Sequence, residues 1–270
     1  RFKGGEEKMG LDEVTISKAI IESFNKDLIK FLEVEVAIGG AGPAGLTAGF
    51  YLAKNGVKTA IFERSLRTGG GMPGGGMMFN KIVVQEEAKE ILEEMGINYS
   101  KYKENYYVAD SIEATSALTY KAVQAGVKIF NLMEVEDIMI QREKLCGFVI
   151  NWTAVRLSNL HVDPLTIRCK AGIDATGHNC GIVKSLEKRG KAKLNTSSGR
   201  IIGEGALWAE EGEKTILENT KEVYPGLYVA GMAANAVCGG PRMGPIFGGM
   251  LLSGRKAAQI INGVRSSFFT

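Results

Sequence analysis

The sequence predicts an α/β fold built on a parallel sheet, and three observations carry the prediction. A β-rich run over 33–39 ends at Gly39-Gly40 and gives way to a helix that opens on Pro43. A second apolar run, Val57 to Phe62, ends on Glu63. Buried-strand patterns return late in the chain, at Ile167 to Ala175 and Leu227 to Gly231. Strands alternating with helices in this way read as βαβ units. The glycine-punctuated turn makes the fold a Rossmann-like, dinucleotide-binding one. The late strands give it a two-part, flavoprotein-like form with a smaller β-containing layer inserted.

Taken in order, residues 11–30 place Val14, Ile16, Ala19, Ile20, Ile21 and Phe24 at helical spacing, a helix packed on the domain. The strand at 33–39 and the helix from Pro43 to Asn55 follow, with proline in the first turn, where its missing N–H costs nothing. After the strand ending at Glu63 comes Gly69-Gly70-Gly71-Met72-Pro73-Gly74-Gly75-Gly76, a loop whose backbone must lie close to something. Amphipathic helices are expected over 83–95 and 111–125, the second capped by Ser111 and closed by Gly126. Strand-like runs at 127–130, 135–140 and 147–152 make up the inserted layer, a subregion at about 97–165 of a single domain spanning 1–270. Residues 191–221 carry no clear pattern, and a helix over 248–261 closes the fold.

Composition narrows the function. Lysine and arginine number 33 against 30 acidic residues, so no basic footprint for nucleic acid or an anionic membrane is expected. No apolar run reaches the ~18 residues of a membrane span. The polar opening Arg1–Gly5 lacks a secretion signal's apolar core, and the four cysteines form no CxxC pair, so reduced thiols and a cytoplasmic location are expected. The 35 glycines cluster in loops without a period, which points to ligand-binding loops.

The turn Gly40-Ala41-Gly42-Pro43-Ala44-Gly45 is the phosphate-binding fingerprint. Its first glycine permits the tight turn, the second admits a pyrophosphate, and the third lets helix and strand pack. Glu63 stands at the distance where an acid bonds the ribose hydroxyls. The chain has two histidines. His161 sits in Leu160-His161-Val162-Asp163-Pro164, where residues 161 and 163 share a face if the segment is extended. His178 follows the strand that ends near Ala175, at the edge where ligands bind in open α/β sheets. Two imidazoles and a carboxylate suit a divalent first-row metal such as iron(II); polar residues satisfied near the surface are the other reading. Arg242, in a Gly/Pro-rich loop, suits a bidentate anion contact. Cys169 reads as a core thiol, Cys180 as an exposed one without an activating partner, and Met72, Met77 and Met78 as soft core filling.

Together these motifs resemble the thiamine thiazole synthase family. The residues that carry the resemblance are the 40–45 turn, Glu63-Arg64, the 69–76 loop running into Met77-Met78-Phe79-Asn80-Lys81, Asn151-Trp152-Thr153-Ala154-Val155, 160–164, Ala175-Thr176-Gly177-His178 and Pro241 to Gly248. They span about residues 10–262. The resemblance implies conversion of NAD, glycine and a sulfur source into an adenylated thiazole carboxylate, the dinucleotide being consumed. His161 stands where the eukaryotic branch has a sulfur-donating cysteine, as in the archaeal branch that takes sulfide from solution and uses Fe(II).

The resemblance further implies that Gly40, Gly42, Ala44, Gly45, Glu63, Arg64, Gly71, Val135, His161, Val162 and Met232 hold the dinucleotide. Asp163 and His178 ligate the metal, with Asp163 offered to a neighbouring subunit's site; His161 lies beside them as a proton shuttle; and Arg242 binds the glycine carboxylate. A homo-oligomer such as an octamer follows. Pro73, Asn179 and Cys238 depart from the family pattern, where an aromatic residue, Asp and His are usual. A flavin-dependent oxidoreductase and a ribose-1,5-bisphosphate isomerase are the competing activities on the same fold.

Overall fold

In the computed structural model, which describes residues 10–190 and 192–265, the first element is helix α1 (Glu13–Lys30), capped by the Asp12 carboxylate. Strand β1 (Val36–Gly39), helix α2 (Pro43–Lys54) and strand β2 (Thr59–Glu63) form the expected βαβ unit. The predicted helix over 83–95 is shorter. Ile82-Val83-Val84 is a β-branched run that makes strand β3 (Lys81–Val84), and the helix α3 covers only Lys89–Met95, ending on left-handed Gly96. A hairpin that the pattern did not predict follows, β4 (Tyr99–Lys103) and β5 (Tyr106–Asp110). Helix α4 (Ser111–Gln124) is capped by Asp110, whose carboxylate accepts from Ile112 and Glu113, and not by Ser111.

The chain continues through β6 (Lys128–Asn131), β7 (Met133–Gln141), β8 (Lys144–Trp152), α5 (Thr153–Leu157), β9 (Leu165–Arg168) and β10 (Ala171–Asp174). Helix α6 (Gly181–Lys188) follows. The stretch without a pattern holds β11 (Gly205–Leu207) and α7 (Ala209–Asn219). Strands β12 (Glu222–Tyr224) and β13 (Leu227–Val229), helix α8 (Met232–Cys238), strand β14 (Pro241–Arg242) and helix α9 (Gly248–Val264) complete the fold. The opening segment Arg1–Gly5 lies outside the described residues. Among the described residues no helix is long and apolar enough to cross a membrane.

The central sheet has six strands in the order β12-β13-β10-β1-β2-β6, parallel except for β12. Chain direction of travel reverses at β1: β2 and β6 extend the sheet on one side, β10 and β13 on the other. Such a switch point opens a crevice at the carboxyl ends of the strands. Alternation along the strands sorts the two faces. Val36, Ile38, Ile61 and Ile173 point to the helices α2, α4 and α9, through Leu46, Leu118 and Leu251. Ala37, Ala60 and Phe62 point to the second core, with Phe130, Phe148, Ile150 and Ile167. That opposite face is covered by the antiparallel sheet β7-β8-β9. Gly172 lets it seat closely, since a Cβ there would lie 2.6 Å from the Phe148 ring.

The middle segment is therefore divided. Strand β6, read in sequence as part of the inserted layer, belongs to the central sheet, and separate three-stranded antiparallel sheets, β3-β5-β4 and β7-β8-β9, stand before and after it. Helix α1 packs less than predicted. Phe24 meets Phe130 and Trp152, but Val14, Ile16, Ile20 and Ile21 are exposed.

Candidate dinucleotide and metal site

The carboxyl edge of the sheet collects the predicted residues from β1, β2, β10 and β13. At the turn, Gly40 has φ +99°, and a Cβ there would sit 2.5 Å from the Ala175 carbonyl oxygen. At Gly45 a Cβ would sit 2.0 Å from the Gly40 oxygen. The first glycine thus lets the turn cross the end of β10, and the third lets α2 seat on the turn. Gly42 is open by comparison, its nearest neighbour being Gly70 Cα at 4.0 Å from a Cβ position. Helix α2 has no side-chain cap, and Pro43 has no N–H. The first-turn amides of Ala44 and Gly45 and the positive end of the helix dipole therefore face the crevice, an arrangement suited to a pyrophosphate.

Glu63 ends β2 with its side chain buried. Its carboxylate accepts from the Ala41 amide at 2.7 Å and the Ser65 amide at 2.7 Å, so it first braces the turn. Each oxygen retains a second lone pair with which to take a ribose hydroxyl. Arg64 is exposed, and its carbonyl accepts from Thr153 Oγ1 at 2.7 Å. What the glycine loop approaches is the turn itself: the Gly69 amide donates to the Ala41 oxygen at 2.7 Å, and Gly70, at φ +57°, lies over Gly42. Gly71 next to it is exposed. Val135 borders Gly39, its Cγ2 3.3 Å from where a Cβ would be. The Met232 side chain is buried with Ile216 and Met243, which leaves its backbone, at the start of α8, to meet a ligand. A separate cavity of about 470 Å³ lies on the outer side of the loop, lined by Arg67, Pro73, Thr115 and Thr119 among others; it contains none of the predicted site residues.

His178 occupies the loop after β10, and Asp174 builds that loop. Asp174 is fully buried. Its Oδ1 accepts from the Thr176 amide and hydroxyl, and its Oδ2 from the Ile182 and Val183 amides at the start of α6. Burial nonetheless dominates and raises its pKa above the usual carboxylate range, the four hydrogen bonds opposing it. The imidazole projects outward, with Nδ1 2.6 Å from Glu204 Oε1. Sequence reasoning missed Glu204, which stands 26 residues away between two glycines and follows no periodicity.

His161, Val162 and Asp163 are all exposed in the loop between α5 and β9. The buried Asn151 side chain tethers that loop, donating to the Val162 oxygen at 3.2 Å and to Glu136 at 3.1 Å. No hydrogen bond or ion pair joins His161 or Asp163 to His178, and among the described residues no three His, Cys, Asp or Glu side chains gather in a metal-binding group. The triad read from sequence is thus not assembled within one chain. The donors themselves suit a first-row divalent ion, an exposed imidazole backed by a carboxylate and an exposed aspartate, but within one chain they stand apart. Arg242 is exposed on β14, which pairs with β11 next to Glu204.

The cysteines are free thiols. Cys169 is buried as expected, whereas Cys180 is buried and not exposed, because its left-handed backbone (φ 37°) turns it inward under α6. Burial pushes both thiols up to about 12, far from a reactive thiolate. Of the three methionines read as core filling, only Met72 is buried; Met77 and Met78 stand exposed beside Phe79.

This fold and its rim define a protein of the Rossmann-like dinucleotide-binding class with a flavoprotein-like topology. A geranylgeranyl bacteriochlorophyll reductase-like protein from Thermoplasma acidophilum shares the fold, with TM-score 0.55 over 87% of this chain and 79% of its own at 15% identity. Within that class, residues 17–247 match the Thi4 family model. The thiamine thiazole synthase of Methanothermobacter thermautotrophicus is 61% identical over 253 residues, covering 94% of this chain and 98% of that one. The crystal structure of Thermovibrio ammonificans THI4 superposes with TM-score 0.92 at 51% identity, covering 96% of this chain and 100% of that one. The chain belongs to the Thi4 family.

Proposed function

We propose that the chain, a thiamine thiazole synthase by family, builds an adenylated thiazole carboxylate from NAD, glycine and sulfide with the help of Fe(II). The observation that carries this reading is the shared edge. The turn at 40–45, the acid at the end of β2 and the His178 loop all open on the carboxyl side of one sheet, and the Arg242 strand pairs with β11, which follows the Glu204 partner of His178. The Ala44 and Gly45 amides hold the pyrophosphate and Glu63 the adenosine ribose, which directs the other ribose along the rim. Loss of nicotinamide there exposes a sugar carbonyl for the glycine amine. Arg242 orients glycine by a bidentate contact to its carboxylate. His161 moves protons during condensation and ring closure.

His178 and a second copy's Asp163 would hold the metal, which supplies a Lewis acid and a landing place for sulfide. Sulfide from solution is favoured because Cys169 and Cys180 are buried and their thiols raised, while position 161 is histidine. Exposed apolar side chains on α1, at Met77 to Phe79 and at Leu207-Trp208 are surfaces for the homo-oligomer that such sharing requires. Anaerobic incubation with NAD, glycine, sulfide and Fe(II), followed by mass analysis, tests the reading. Wild type should form the adenylated thiazole over repeated turnovers, and His178→Ala and Asp163→Ala should not. Flavin absorbance in the purified protein, or undiminished product from both variants, would contradict it.

A further inference from the structure

Resting on the reading of His178 as a metal ligand, we propose that Glu204 is a positioning residue that fixes the His178 ring with Nε2 facing the incoming cation. The Glu204 carboxylate can only accept, so its contact at 2.6 Å places a proton on Nδ1, and in the neutral ring that a metal requires the lone pair is then on Nε2. The exposures agree, since 54% of the imidazole side chain is accessible but only 16% of the glutamate. The carboxylate lies behind the ring and the free nitrogen in front.

Both partners are held by backbone that does not depend on the metal. The Gly203 amide donates to the Ala236 oxygen at 3.0 Å and the Gly205 amide to the Gly240 oxygen at 3.0 Å, which pins Glu204 from either side. Asp174 fixes the His178 loop through its bonds to Thr176, Ile182 and Val183. The strand that follows Glu204, β11, pairs Gly205 with Pro241 and Leu207 with Arg242 on β14. Glu204 therefore also sets His178 in register with the proposed glycine anchor. An imidazole left to choose its own tautomer and rotation would offer its lone pair to the site only part of the time. A carboxylate behind a ligating histidine is worth ~10–100-fold in metal affinity.

The test uses the intact oligomer, free of metal, with ¹⁵N-histidine labelling and magic-angle-spinning NMR of sedimented protein. Only two imidazoles contribute, and a His161→Asn variant assigns them. Wild-type His178 is expected as the Nδ1–H tautomer, with mixed tautomers in Glu204→Ala and a weakened Nδ1–H signal in Glu204→Gln. Fe(II) titrated anaerobically should bind ~10–100-fold more weakly to Glu204→Gln and not to the rim of His178→Ala. A His178 spectrum unchanged in both Glu204 variants, or an Nε2–H tautomer in wild type, overturns the proposal. So does loss of Fe(II) binding in Glu204→Gln as complete as in His178→Ala, which would make Glu204 a ligand. If His178→Ala instead binds Fe(II) like wild type, the metal reading fails, and the imidazole spectra still judge the Glu204 contact by themselves.

Discussion

Adding one methyl group at Gly45 should cripple dinucleotide binding while leaving a folded protein. A Cβ at this position would stand 2.0 Å from the Gly40 oxygen, so α2 must withdraw from the turn by about 1.4 Å to reach ordinary contact. It has little room to do so. Behind it, α9 approaches so closely at Gly254 that a Cβ there would lie 2.3 Å from the Ala44 oxygen, and one at Gly231 would lie 2.7 Å from the Ala44 side chain. Alanine gains ~1 kcal/mol of helix propensity over glycine, and overpacking costs ~1–3 kcal/mol, so Gly45→Ala should lose at most ~2 kcal/mol of stability. The functional loss is larger. Each amide–phosphate bond drawn out of range forfeits ~1.5–3 kcal/mol, roughly ten- to a hundredfold or more in NAD affinity. Calorimetric titration with NAD, beside a thermal melt of the same sample, separates the two effects. NAD affinity within a factor of about two of wild type, with a lowered melting temperature, would refute the assignment of this turn to the pyrophosphate.

Glu213, on α7, faces the start of α9 at Gly249, and burial raises its pKa from 4.5 to about 7. Because the folded chain keeps a proton that the unfolded chain releases, stability should fall as pH rises through this window, by about 3 kcal/mol. Glu213→Gln should flatten that slope and raise the melting temperature at pH ~8, since its amide could also serve the unpartnered Gln85 oxygen; an unchanged slope in thermal melts would reject the argument. Cys169→Ala and Cys180→Ala should retain sulfide-dependent product formation per folded chain, measured by mass analysis, and loss of sulfur incorporation in either would mean that the protein supplies the sulfur. Co-assembling Asp163→Ala with His178→Ala should recover about a quarter of wild-type product, because random mixing leaves that share of shared sites intact. No recovery would place both ligands in one chain's site.

The geometry of the glycine turn and of Glu63 was legible because short-range chemistry dictates it. The turn 40–45 needs glycines where backbone meets backbone, and Glu63 follows one strand later at a spacing set by the βαβ unit. The His178 loop was legible in position, since Ile167 to Ala175 reads as a buried strand and the loop falls at its end. Its partners were not. Glu204 reaches His178 through pairing between distant segments, and Asn151 holds the 160–164 loop from a neighbouring strand, neither leaving a periodic trace. The β4–β5 hairpin escaped prediction because β4, Tyr-Ser-Lys-Tyr-Lys, is mostly exposed and lacks an apolar face. The helix start at 83 was misplaced because Ile82 to Val84 pair with β5, a long-range contact that overrides local amphipathicity. Exposure of Val14, Ile16, Ile20 and Ile21 on α1 shows the same limit from the other side: helical spacing identifies a face, not what covers it.

A crystal structure with NAD bound tests the central claim most directly. The pyrophosphate should lie within hydrogen-bonding distance of the Ala44 and Gly45 amides, the adenosine ribose at Glu63, and the second ribose toward His178 and Arg242. A dinucleotide seated in the cavity outside the glycine loop, or one whose second ribose stays remote from His178 in every subunit, would contradict it.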